Sequence, residues 1–322
     1  MAWTEGGNDT TKMARDATVK TLFAFYGYMG ASVLSLVVNS VVLVLSVARV
    51  RGDFVLFMAN LAIADCLFSI IHMANTLCIN GAAIGHRQLC RRLLDAMLPG
   101  FSLTVFALVP IALSRYILLC NRHLYGRLRI KKLAVLYCIM FDVIGIALTI
   151  TAQHIKVSVP LTFILISLTV VASLAVVFLC DIGVFRKVSV LVKLALTMQH
   201  ESRLRIAKQL AITTFLQALQ PIIFQVPFVV FTLVHISIFP SLDLGALLEL
   251  VLLGLAINPL LDGIITLLVV KKYRDGILSF SFAFLTPRSR LSLSRQDQNA
   301  AQCIPMVVVG GKFTIDADYY FC

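Results

Sequence analysis

The chain has 322 residues, of which 59% are hydrophobic and only 14% charged, with a mean hydropathy of +0.93. A soluble globular chain carries roughly 45–50% apolar and about 25% charged residues, so this composition excludes a water-soluble domain and points to a multi-pass membrane protein. The net charge of +12 is read as basic loops flanking the membrane rather than as a nucleic-acid surface.

Taken in chain order, "MAWTEGGNDTTKMARD" is polar where a signal peptide would be apolar, so residues 1–21 are expected to be a tail and no cleavable leader is expected. Apolar runs long enough to cross a bilayer then recur at about 22–48, 54–78, 90–120, 131–152, 158–185, 206–238 and 243–270. The breaks between them are short and polar, the longest being "RKVSVLVKLALTMQHESRLR". The expected fold is an all-α, seven-transmembrane helix bundle. After the last run, "KKYRDGILSFSFAFL" mixes basic and apolar residues as an amphipathic helix on the inner membrane surface would. Residues 22–285 form one unit with that helix, and 286–322 are expected to be a disordered cytoplasmic tail, with "RSRLSLSR" a candidate for phosphorylation. Its final Cys322 carries no prenylation box.

Orientation follows from the basic residues. With seven spans and the N-terminus outside, and leaving out the distal tail, sixteen Lys and Arg fall on the inner side and seven on the outer, which is the bias of cytoplasmic loops. Asn8-Asp9-Thr10 is a glycosylation sequon on the side assigned to the exterior. A plasma-membrane location with an extracellular N-terminus is therefore expected, with membrane lipid as solvent and partner.

Several polar residues interrupt the apolar runs. Arg115 lies in "FALVPIALSRYILLC", Asp65 and Asn60 in "MANLAIADCLFSI", and Asn39 in "LVVNSVVLV". Gln217, Gln220 and Gln225 accompany Pro221 and Pro227, and Glu249 precedes "INPLLDG" with Asn258, Pro259 and Asp262. An arginine at the bilayer centre costs about 2.5–3.5 kcal/mol on insertion scales, so such residues are functional candidates by default. At 3.6 residues per turn, Thr104, Met97 and Cys90 fall on the same side of the third helix as Arg115 and would face the bundle.

In this order the residues resemble the rhodopsin-like family of G-protein-coupled receptors. Asn39 matches that family's span-one asparagine, "NLAIAD" its N-L-x-x-x-D, "SRY" its D/E-R-Y, "ALQP" its C-W-x-P and "NPLLD" its N-P-x-x-Y, while Cys90 stands 25 residues before Arg115 as the family's cysteine does. The resemblance implies an activation switch built on Arg115, Tyr116, Pro221, Asn258, Pro259 and Asp262, and a sodium-like site at Asp65 with Thr104. It implies a ligand pocket among Met97, Phe101, Gln225, His235 and Glu249, and a heterotrimeric G protein as partner. The short loops suit a small, fairly apolar ligand. Met97 stands where amine receptors keep an acid, so a monoamine is not expected.

The departures from the pattern carry consequences. Ser114 replaces the acid before Arg115, which removes the local ion pair of a resting receptor and implies raised agonist-free signalling. Leu219 stands at the rotamer-switch tryptophan and Asp262 at the span-seven tyrosine. The loop "AQHIKV" is short and has no Cys, so Cys90 lacks its usual partner; Cys78 is the only other outer-side cysteine, and that pairing is not expected. With its span six "KQLAITTFLQALQPIIFQVP", the chain is further similar to the nematode serpentine chemoreceptors. Rival classes fare worse. No nucleophile–base pair or paired carboxylate motif argues for an intramembrane enzyme, and no inverted repeat argues for a transporter. A seven-span ligand-gated channel would need the opposite topology.

Overall fold

In the computed structural model the described residues are 6–50, 55–79, 87–120, 131–154, 159–197, 219–237 and 245–285, with isolated positions at 212, 215 and 216. They form eight helices: α1 Gly6–Ala48, α2 Val55–Ile79, α3 Arg87–Cys120, α4 Lys131–His154, α5 Val159–Thr197, α6 Val226–Ser237, α7 Gly245–Val269 and α8 Lys271–Leu285. The loop "NRHLYGRLRI", the start of span six and the tail from 286 onward lie outside the described residues.

Six of these helices are long and apolar enough to cross a membrane: Phe25–Ala48, Val55–Cys78, Gln88–Ile117, Leu133–Thr151, Ile164–Val190 and Leu247–Val269. A shorter apolar helical stretch, Leu219–Phe231, lies in the sixth expected run. The all-α bundle read from the hydropathy pattern is thus what the chain forms. Two helices run past their expected ends. α1 starts at Gly6, well before its apolar span. α5 continues to Thr197, through the "RKVSVLVKLALT" read as a loop, because nothing after Gly183 in that stretch breaks a helix: it holds neither Pro nor Gly.

Lipid gives helices no hydrophobic reason to associate, so close packing through small residues and interhelical hydrogen bonds has to hold them. α3 is the central strut, packed on α2, α4 and α5, while α1 lies against α2 and α7. Gly263 lets α7 approach α1: a Cβ there would sit 2.6 Å from Val38 Cγ1 and 2.9 Å from Asn39 Oδ1. Gly183 does the same for α5 and α3, where a Cβ would meet Tyr116 Cε2 at 2.6 Å. Neither distance is compatible with any larger residue.

α8 turns off the end of α7 at Val270, whose carbonyl accepts from Tyr273 and Arg274 amides at 3.0 and 3.1 Å. Its amphipathic character has a specific use. Tyr273 is fully buried and shares a 2.7 Å hydrogen bond with the Ser46 hydroxyl, and Arg49 donates to Ser279 Oγ at 2.7 Å. Burial pushes the Tyr273 phenol up, with the Ser46 bond offsetting part of that, so the hydroxyl keeps its proton and its bond at neutral pH. α8 is in this way fastened to the end of α1.

One expectation is corrected at the opposite end of the bundle. Cys78 and Cys90 form a disulfide, with Cα atoms 5.5 Å apart at a sequence separation of 12. The pairing was not expected because both cysteines sit on neighbouring runs rather than on the loop that usually supplies one. The last turn of α2 and the first of α3 bring them together all the same. Among the described residues Cys66, Cys120, Cys138 and Cys180 are free. Replacing Cys78 by Ser should leave one more thiol open to a maleimide mass tag under denaturing, non-reducing conditions than the parent chain shows; an unchanged count on gels would mean that the bridge does not form.

Candidate functional site

The polar residues of the spans converge on one column through the bundle, between α1, α2, α7 and the helical stretch Leu219–Phe231 of the sixth run. Nearest the disulfide end, Ser32 Oγ and His72 Nδ1 are 3.0 Å apart, and the Tyr28 ring stands edge-on to His72 with centroids 5.8 Å apart. One turn deeper, the Ser35 and Ser69 hydroxyls meet at 2.8 Å, and Ser69 donates to the Asp65 carbonyl at 2.7 Å. Asn39 Nδ2 donates to the Ser35 carbonyl at 3.1 Å and across to the Pro259 carbonyl at 2.8 Å. Gln220 Nε2 then donates to the Asn258 carbonyl at 2.8 Å, and Asn258 Nδ2 makes a long 3.5 Å contact with Asp262 Oδ2. Each bond spares a buried polar group the cost of standing alone, about 1–3 kcal/mol.

Two carboxylates stand at the centre. Asp65 is fully buried, and neither of its side-chain oxygens has a hydrogen-bond partner among the described residues. Asp262, itself 4% exposed, is near enough for its charge to act on Asp65. Two carboxylates together in an apolar bundle repel each other and lack solvent. A small hard cation, if one binds here, would find its oxygen ligands in the carboxylates of Asp65 and Asp262. Among the described residues no group of three or more His, Cys, Asp or Glu side chains is placed to hold a metal ion. Thr104, expected beside Asp65, donates its hydroxyl to the Phe101 carbonyl of its own helix at 2.8 Å.

Arg115 is buried to 7% exposure, and Tyr116 beside it lies exposed at 38% under the passing backbone of Gly183. The charges acting on Arg115 are those of Asp181 and Asp262. Asp181 was missed in the sequence. It is a lone acid in "FLCDIGVF", and the rule that ionisable residues within spans are functional candidates would have found it. Asp142 accepts from Asn60 Nδ2 at 3.3 Å, linking α4 to α2.

The expected pocket residues divide. Phe101 stacks edge-on with Phe228 at 5.2 Å, in an apolar cluster with Phe68, Val105, Ile166, Val170, Val229 and Leu255, against which Met97 packs. Gln225 is fully buried at a turn in the sixth run, and neither its carbonyl nor its amide nitrogen has a partner among the described residues. Glu249 does not join them: its side chain is exposed, and only its backbone carbonyl is used, accepting from Tyr28 at 2.9 Å. His235 lies in α6 and Asn8 in α1, with side chains outside the described positions. Pro221 is buried, and its carbonyl accepts from the Gln225 amide at 2.9 Å.

Residues 146–278 match the family model of the serpentine type 7TM GPCR chemoreceptor Str, a stretch that begins within α4, ends within α8 and holds Asp181, Gln220, Gln225, Asn258 and Asp262. No curated protein matches the chain. The resemblance to the serpentine chemoreceptors that the motifs carried is borne out over this part of the sequence. If Asp65 and Asp262 do hold a cation, sodium chloride should raise the Tm of the detergent-solubilised chain by about 2–4 °C over choline chloride at equal ionic strength, the shift that roughly 1 kcal/mol produces. Asp65→Asn should erase the difference in a thermal-shift assay; a persisting sodium effect would place the ion elsewhere.

Proposed function

We propose that the chain is a chemoreceptor that binds a small, mostly apolar external molecule and signals through a heterotrimeric G protein from the plasma membrane. The observation that carries this reading is the family match together with a buried arginine, Arg115, on which the charges of Asp181 and Asp262 from two other helices act. A charge kept inside an apolar bundle costs folding energy, and its use in a signalling protein is as one side of a two-state switch. Ligand binding would bias the bundle between arrangements, by no more than its difference in affinity for the two. The switch in this reading consists of Arg115, Tyr116, Pro221, Asn258, Pro259 and Asp262, with movement of the sixth span about Pro221 opening the α8 end to the G protein. Asp65 would carry the sodium ion.

The chemistry of the ligand follows, in this reading, from the apolar cluster around Phe101 and Phe228 and from Gln225, the residue before Val226 of that cluster, whose buried amide has no partner among the described residues. Such a wall favours a compact hydrocarbon body with a single hydrogen-bonding group, a ketone or an alcohol, since a buried amide left alone is expensive. In cells expressing the chain, a panel of small ketones and alcohols should evoke a second-messenger response that Gln225→Leu weakens about five-fold in potency, the worth of roughly 1 kcal/mol. Equal potency across the panel would remove Gln225 from recognition.

Topology is the cheaper test. Asn8 should be glycosylated and lose its endoglycosidase-sensitive shift on Asn8→Gln, whereas a sequon engineered near Gln199 should stay unmodified. Modification of the Gln199 site alone would invert the chain and end the receptor reading in favour of a channel.

A further inference from the structure

The acid that Ser114 fails to provide has a replacement on another helix. Ser114 itself is committed elsewhere, its hydroxyl donating to the Ile111 carbonyl of its own helix at 2.8 Å. α5 passes α3 at this level with no room to spare, Gly183 lying against the ring of Tyr116, the neighbour of Arg115. Two residues back along α5 is Asp181, 4% exposed, and Cys180 and Val177 beside it belong to the same buried cluster as Ala107, Leu108, Ile111 and Ala112 of α3. Arg115 and Asp181 act on each other's charge, and Asp181 heads the pair of carboxylates that act on the arginine. Oδ1 of Asp181 has no hydrogen-bond partner among the described residues. A buried aspartate can keep its charge cheaply only beside a counter-charge, and the arginine is the cation whose charge reaches this carboxylate.

We propose that Asp181 is the acidic partner that holds Arg115 in the resting state, supplying from α5 the restraint that an acid at position 114 would supply from α3. Asp262 acts as the second holder from α7. The consequence is a change in what activation must break. A restraint inside one helix yields to a side-chain rotation, whereas one between α3 and α5 yields only when the helices shift against each other, and the close seat of Gly183 on Tyr116 resists that. The agonist-free activity implied by Ser114 alone is then held down from a different direction.

The inference rests on the receptor reading, so the test separates the two. Nucleotide exchange on a panel of purified heterotrimers would be measured without agonist for the reconstituted wild type, Asp181→Asn, Asp181→Glu and Ser114→Asp/Asp181→Asn, each normalised to receptor amount. Asp181→Asn should raise basal exchange several-fold, Asp181→Glu should stay near the wild type, and adding Ser114→Asp should bring the raised level back down. Thermal unfolding of Arg115→Gln, Asp181→Asn and the double variant gives a second readout, in which the double variant should lose less Tm than the two singles together. If Asp181→Asn accumulates poorly, the double variant should accumulate better. Additive Tm losses, or basal exchange unchanged by Asp181→Asn while Arg115→Gln abolishes agonist-evoked exchange, would overturn the lock and leave the receptor reading standing. No exchange from any variant on any heterotrimer would overturn both.

Discussion

Everything in this bundle turns on how an apolar interior accommodates charge. Arg115, Asp65, Asp181 and Asp262 are all buried, in a protein whose surroundings offer neither water nor hydrophobic driving force between helices. An ion there is tolerable only when an opposite ion or a set of oriented dipoles stands close to it. The three carboxylates and one arginine come from α2, α5, α7 and α3, so no single helix can satisfy its own charge. Helix–helix association and charge neutralisation become the same event, and the order of the helices around the centre is specified by electrostatics as much as by shape.

Shape does the remainder through a few absent side chains. Gly263 and Gly183 lie at crossings where even a methyl group would collide with the facing helix. Such approaches bring backbone carbonyls within reach of side chains across the interface, as when Asn39 reaches the Pro259 carbonyl. α1 is tied to α7 in this way, which is why an asparagine that could have been mere packing has a defined structural task.

Much of this was legible in the sequence, because hydrocarbon thickness fixes the length of a span and apolar runs are hard to mistake. The helices α2, α3, α4 and α7 begin and end within a few residues of the runs read from hydropathy. The site was legible to the extent that polar residues in oily runs identify themselves: Arg115, Asp65, Asn39, Asn258, Asp262 and Gln220 all lie in or beside the buried column. What could not be read was partnership. Asp181 answers Arg115 from 66 positions away in sequence, and His72 pairs with Ser32, contacts that depend on which helices adjoin. The Cys78–Cys90 bridge escaped because motif reasoning looked for a loop cysteine and overlooked the meeting of two helix ends.

The hydrogen bonds of α1 have a mechanical meaning. α1 is stitched to α2 by serine and histidine contacts, to α7 by Asn39, and to α8 by Ser46 and Arg49. Among the described residues the sixth run reaches α7 through Gln220 and Asn258, and α6 rests on α5 and α7. α1, α2, α7 and α8 thus share load as the members of a braced frame do, and a force applied to one of them is spread over the other three before any single contact yields.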